Sequence, residues 1–384
     1  MSEILTAPAE QNIRQARPNA YLKGVNSIRG ILVFPVVFTH IIIHLDEFGL
    51  NPFIIGKNID GSARVLDVAR FGMGIFFAIS GFLITYLLRL EKDKRGSVNI
   101  KQFYIRRALR LFPLYYAQIA FTLVLYHIYD IAYTNWDLMI YSCYAVNIPY
   151  VFSGQLPLLG HYWTLSMEEQ FYFTWPWFQP FSNRQLLRFC WLMLLLFFIA
   201  RALMNQINAF SDFFLLKLMN YVWFQCMLIG CIFGLYYLEY REQLIKLSEN
   251  IVIQFTTYAL LILGAFNLLR DHLPFYYELT TIAGCMLMVN QNSTKLLINL
   301  ENKLFNYVGK ISYPVYIVHN AMIFLCAKLV SWETVSNKPL RYILVTLLVF
   351  STSFLMAQLA HVFIEKPFLK LKEKKFTFIH GLRS

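Results

Sequence analysis

Apolar residues along this chain fall into runs long enough to cross a bilayer as helices, separated by short polar stretches. The runs lie near 28-46, 71-90, 112-132, 165-181, 187-205, 213-238, 250-268, 275-290, 311-329 and 341-363. A further run at 137-152 is ambiguous between crossing, re-entering and lying flat. The pattern predicts an all-α, polytopic integral membrane helical bundle of about ten transmembrane helices, or eleven if 137-152 crosses. Residues 1-20 are polar, contain Arg14, Arg17 and Pro18, and lack the apolar core and small-residue cleavage site of a signal peptide, which predicts a cytoplasmic tail. The expected division is therefore an N-terminal tail over 1-20, a transmembrane domain over 21-368 and a basic cytoplasmic tail over 369-384. No polar stretch between runs exceeds roughly 30 residues, too few to bury a core of their own.

Composition supports this reading. Hydrophobic residues make up 58% of the chain and charged residues only 15%, where a soluble domain carries about 25% charged residues. Six cysteines are scattered singly, which excludes a disulfide scaffold and metal-ligand spacing. The net charge of +12 would suggest nucleic acid in a soluble protein; here the basic residues sit in loops between spans, and nucleic-acid binding is not expected. Arg89, Lys92, Lys94, Arg95, Lys101, Arg106, Arg107 and Arg110 crowd one loop, which assigns it to the cytoplasm. Residues 133-164 contain no Lys or Arg and belong outside, and the tail after Glu365 returns to the basic side. Both termini inside requires an even number of spans, and ten satisfies it. The outer loop at 47-70 departs mildly from this rule, since it carries Lys57, Arg64 and Arg70.

Ionisable residues within apolar runs are costly, so they mark candidate chemistry. Arg29 and His40 lie eleven positions apart, close to three helical turns, so both project from one face about 16 Å apart along the axis. His40 reads either as a functional imidazole lining a cavity or as a ring bonded to a backbone carbonyl. His44, one turn further, gives only a weak metal pattern, and no metal site is expected. Gly74, Ala78 and Gly81 put small residues on one helix face for close packing, and Ser80 beside them can also donate to a ligand. Arg106, Arg107 and Arg110 are spaced to form one guanidinium cluster, suited either to lipid phosphates or to the phosphates of a nucleotide ligand. The string from His161 to Tyr172 contains Trp163 and the adjacent carboxylates Glu168 and Glu169, which point about 100° apart on a helix, so only one of them can face a given cavity. His319 is a second mid-span histidine, and Glu365 beside Lys366 reads as an interfacial ion pair.

Together these strings resemble the membrane-bound acyltransferase 3 family of bacterial O-acyltransferases. Arg29 with His40 is similar to its Arg-x10-His motif, Phe77 to Phe82 to its Phe-x-x-Ser-Gly-Phe segment, and Arg107 to Arg110 to its Arg-x-x-Arg motif. Trp163 to Tyr172 resembles its Trp-Ser-Leu-x-x-Glu-Glu-Gln-Phe-Tyr string, with Thr164 where serine is commoner. Ser312 to His319 and Glu365 to Pro367 resemble its closing motifs. The resemblance implies the transmembrane-only form of the family, in a bacterial inner membrane. It also implies an acyl-CoA donor, often acetyl-CoA, and a hydroxyl acceptor on a glycan, glycolipid or related cell-surface or secreted molecule.

On this reading His40 is the general base, with Glu168 or Glu169 orienting it or stabilising its cation. Arg29, Arg107 and Arg110 hold the donor nucleotide, and Ser80, Trp163, Tyr172 and His319 bind substrate or support the site. An acyl-histidine relay through His40 stays open beside direct attack. The competing class is a transporter or flippase relaying protons through membrane histidines and glutamates; the absence of visible internal repeats weighs against it.

Overall fold

A computed structural model describes residues 21–57, 61, 63, 64, 66–151, 154–206, 223–269, 273 and 275–376. The expected 1-20 tail, residues 377–384 of the basic tail and the start of the 213-238 run lie outside these. The described residues are helical, without a β-strand.

Each apolar run contains a helix. In chain order these are α1 (Val25–Ile43), α2 (Val68–Arg95), α3 (Ile100–Ile128), the short α4 (Asn135–Ser142) and α5 (Asn147–Tyr150), and α6 (Trp163–Thr174). There follow α7 (Asn183–Gln206), α8 (Phe224–Glu239), α9 (Arg241–Ser248), α10 (Ile251–Ala265) and α11 (Tyr276–Asn290). The last are α12 (Lys303–Lys310), α13 (Ser312–Leu329), α14 (Lys338–Ala360) and α15 (Lys366–Phe376).

Among the described residues, five helices are long and apolar enough to cross a membrane: α1, α2, α3, α7 and the α14–α15 rod. A sixth arises if α9 and α10, bent by 72°, count as one span. The others are short or less apolar: α6 has 12 residues, which rise about 18 Å against a hydrocarbon core of about 30 Å. The ambiguous 137-152 run resolves into α4 and α5, of 8 and 4 residues, too short to cross.

Small residues set the closest contacts. On α2, Gly81 lies against the Met227 carbonyl, and Gly230 of α8 lies against the Ala78 carbonyl, so the two backbones meet as the small-residue face predicts. Helix α1, which carries Arg29 and His40, is seated in the same way on α12: Gly30 faces the Phe305 carbonyl, and Gly309 faces the Asn26 carbonyl.

The start of α1 is tied down by Glu301, which accepts from the Tyr21 hydroxyl at 2.5 Å, the Gly24 N–H at 2.6 Å and the Asn306 amide at 2.7 Å. Partial burial opposes this carboxylate, but the hydrogen bonds outweigh it and hold it below its usual range. Near the other end of the chain, a π-turn at His361–Glu365 interrupts the α14–α15 rod.

Two predictions concern the seating of α1. A Cβ at Gly309 would lie 1.8 Å from the Asn26 carbonyl oxygen, so Gly309→Ala should cost about 1–3 kcal/mol, read as a lower melting temperature in detergent; an unchanged melt would contradict the contact. A depressed carboxylate stabilises above its unfolded pKa and loses that contribution as pH falls through the folded value. Glu301→Gln should therefore flatten the acid limb of melting temperature against pH, and an identical acid limb would show that the clasp contributes nothing.

Candidate active site

Two polar centres form inside the bundle, near opposite ends of α1. The first surrounds Arg29, which is partly exposed within the fold. Arg110, Glu168, Tyr172 and Glu365 lie in its electrostatic range. Arg110 is in range of Arg107, Glu365, Tyr172 and Glu168, and Lys372 of α15 faces Arg110, Arg107 and Glu365. The Arg107 guanidinium stacks on the Tyr172 ring, 3.4 Å from its centroid. Glu168 accepts from the Ser80 hydroxyl at 2.6 Å. Among the described residues, no hydrogen bond and no ion pair at contact distance engages Arg29, Arg107 or Arg110. Their donors are free, while Glu168, Glu169, Glu365 and Glu373 lie in electrostatic range of this cluster.

Arg106 does not join this centre. It turns to Glu91, fully buried, at 2.6 Å, with Arg95 at 3.7 Å from the same carboxylate. The single guanidinium cluster expected from spacing is therefore split, because positions 106 and 107 point about 100° apart on α3. Glu365 also departs from expectation. It is buried and bonded to His361 at 2.6 Å, while Lys366 is exposed. The π-turn adds a residue to the helical turn and swings Glu365 towards the arginines.

The second centre surrounds His40. Its ring centroid is 4.8 Å from His319 and 6.2 Å from His161, and those two are 4.8 Å apart. His319 Nδ1 donates to the Tyr316 carbonyl at 2.7 Å, and the Asn320 amide nitrogen lies 2.8 Å from His161 Nδ1. Nε2 of both His161 and His319 is buried without a partner. Among the described residues no group of three or more His, Cys, Asp or Glu is arranged to hold a metal ion.

Helices α6 and α13 run between the centres. His161, Thr164, Glu168 and Tyr172 succeed one another at intervals of three and four, which places them on one face. The Tyr316 hydroxyl donates to the His161 carbonyl at 2.8 Å and shares a 2.8 Å hydrogen bond with Thr164. Tyr316 also lies in electrostatic range of Glu168. Trp163 stacks on Tyr150 at 4.8 Å and meets Phe77 edge-on at 6.2 Å.

Of the two adjacent carboxylates, Glu168 belongs to the arginine centre. Glu169 faces Tyr115, Tyr144, Tyr313 and Arg107, with Oε1 buried and unpartnered. The structure thus brings His319 to His40, and gathers Ser80, Tyr172, Arg29, Arg107 and Arg110 around Glu168. Sequence reasoning passed over His161, Tyr316 and Asn320; the repeat of polar residues at 161, 164, 168 and 172 was the available signal.

The chain belongs to the acyltransferase 3 family, whose acyltransferase domain matches residues 22–358. It is 22% identical to a putative peptidoglycan O-acetyltransferase, YrhL, of Bacillus subtilis, over 94% of this chain and 58% of that protein. It is 24% identical to the O-acetyltransferase OatA of Staphylococcus aureus, over 95% of this chain and 60% of that protein. A shorter match, 36% identical over 27% of this chain and 19% of the relative, is to the peptidoglycan O-acetyltransferase OatA of Listeria monocytogenes. The chain spans about three-fifths of the two relatives that it matches along most of its length. No solved structure matches it.

The split of the arginines predicts a dissociation of effects. Removing one partner of a buried ion pair costs about 3 kcal/mol or more, so Arg106→Leu should lower the melting temperature more than Arg107→Leu does. Equal melting temperatures for the two variants would return Arg106 to the cluster.

Proposed function

We propose that this protein is a membrane O-acyltransferase that moves an acyl group, in the first instance acetyl, from acyl-CoA to a hydroxyl of a cell-envelope glycan or related acceptor. The observation that carries the reading is the pairing, on one face of α1, of Arg29 among unengaged guanidiniums with His40 among imidazoles. Guanidinium forks with free donors suit phosphate oxygens, and coenzyme A has phosphates at one end and a thioester at the other. Its extended pantetheine arm suits two centres about 16 Å apart along α1. The glycan class of acceptor follows the names of the peptidoglycan O-acetyltransferases similar to this chain.

In this reading the nucleotide is held by Arg29, Arg107 and Arg110 at the cytoplasmic side of the bacterial inner membrane. The thioester reaches His40, and the acceptor comes from the outer side. Ten spans with both termini inside remain the topology of choice, since the basic 89-110 segment and the basic end of the chain then share the cytoplasm. His40 takes the acceptor hydroxyl proton as oxygen attacks the thioester carbonyl, then returns it to the departing sulfur. His319, whose Nε2 keeps its lone pair, is the neighbour suited to orient His40. Glu168 balances Arg29 and Arg110 and holds Ser80, Tyr172 supports Arg107, and Trp163 packs against Tyr150 and Phe77 beside the site. The transporter reading draws no support from the fold or the relatives.

Two measurements test this reading. Coenzyme A should raise the melting temperature of the purified protein, and the Arg107→Ala/Arg110→Ala double variant should lose that shift; retention of the full shift would remove the phosphate clamp. His40→Ala should express and bind coenzyme A normally but lose at least about 10²-fold in acetyl transfer, and wild-type turnover by it would remove the base assignment.

A further inference from the structure

We propose that His161 is a second catalytic imidazole, an N–H donor to the thioester carbonyl oxygen, with Asn320 the positioning residue that fixes where its proton sits. The proposal deepens the acyltransferase reading above and rests on it.

The tautomer follows from the hydrogen bonds. We take the Asn320 amide nitrogen as the donor across its 2.8 Å contact with His161, which makes His161 Nδ1 the acceptor. The ring proton of the neutral imidazole then sits on Nε2. For His319 the pattern is reversed, because the Tyr316 carbonyl can only accept, which puts the proton on Nδ1 and leaves the lone pair on Nε2. Two adjoining rings thus present one free donor and one free acceptor beside His40.

Both Nε2 atoms are buried without a partner, with His161 3% and His319 0% exposed. An unpaired buried polar group costs about 1–3 kcal/mol, and a native fold that keeps one calls for an explanation. Packing alone does not supply it, since a leucine would fill the same space without the penalty. A fixed donor beside the candidate base is what a developing oxyanion requires. The ring is also held rigidly: its backbone carbonyl takes the Tyr316 hydroxyl at 2.8 Å, and Tyr316, His319 and Asn320 share one face of α13.

The chemistry balances without a further reagent. The acceptor oxygen bonds to the thioester carbon as its proton passes to His40. The carbonyl electron pair moves to oxygen, where the His161 Nε2–H holds the negative charge. Collapse re-forms the carbonyl and breaks the carbon–sulfur bond, and His40 returns the proton to sulfur, giving ester and thiol. His161 keeps its own proton throughout.

The test uses the full chain in nanodiscs with carbonyl-13C acetyl-CoA as probe. The carbonyl infrared stretch should fall on binding to the wild type. It should stay lowered in His161→Gln, whose amide nitrogen takes the Nε2 position, and return towards the free value in His161→Asn, which lacks a donor there. For acetyl transfer, kcat should drop about 10²- to 10³-fold in His161→Asn with KM for acetyl-CoA little changed, while His161→Gln keeps most of it. Asn320→Leu should give an intermediate stretch at unchanged coenzyme A affinity. Imidazole 15N NMR should find the His161 proton on Nε2. A proton on Nδ1, or equal stretches in wild type and His161→Asn, would overturn the proposal alone. A wild type that binds no acetyl-CoA would overturn the parent reading with it.

Discussion

Three guanidiniums held within the helices with no hydrogen bond or ion pair among the described residues are the constraint on which this structure turns. Arg29, Arg107 and Arg110 come from two helices, and Lys372 faces them from a third. Glu168, Glu169 and Glu365 reduce the repulsion from electrostatic range, but close no hydrogen bond with the three guanidiniums. Such an arrangement costs stability, which other contacts of the fold must offset. The glycine contacts that seat α1 on α12 and α2 on α8, and the Glu301 clasp at the start of α1, supply that external support.

From that centre the polar character continues along α6 and α13 to the imidazoles. Thr164 and Tyr316 stand between Glu168 and His161, so hydroxyl and carbonyl groups link two sites that a bilayer would otherwise separate with hydrocarbon. The short length of α6 fits this: the residues before it turn in a 3-10 segment, Gly160–Tyr162, which sets His161 inside the bundle rather than at its surface.

Much of this was legible in the residues. Each long apolar run holds a helix among the described residues, because hydrophobic length is the dominant signal for burial in lipid. Family membership could be read from ordered motifs between Asn26 and Phe368. What failed was orientation. Positions 106, 107 and 110 satisfy several helical spacings at once, and only the neighbour, Glu91 against Tyr172, decides which arginine goes where. Glu168 was expected beside His40, whereas its hydrogen bond is to Ser80 and its charged neighbours are arginines. Glu365 turned inward through a π-turn that a period of 3.6 does not anticipate. His161 was hidden because it precedes the apolar run and acquires meaning only from His319 and Asn320, more than 150 positions away.

The most direct check is to compare the binding of acetyl-CoA with that of S-acetylpantetheine, which keeps the thioester and arm but has no phosphates, by calorimetry on the full chain in nanodiscs. If the unengaged guanidiniums are the donor's anchor, the pantetheine compound should bind at least about tenfold more weakly, since each charge-assisted hydrogen bond contributes about 1.5–3 kcal/mol. Equal affinities would mean that the three guanidiniums serve something other than the donor.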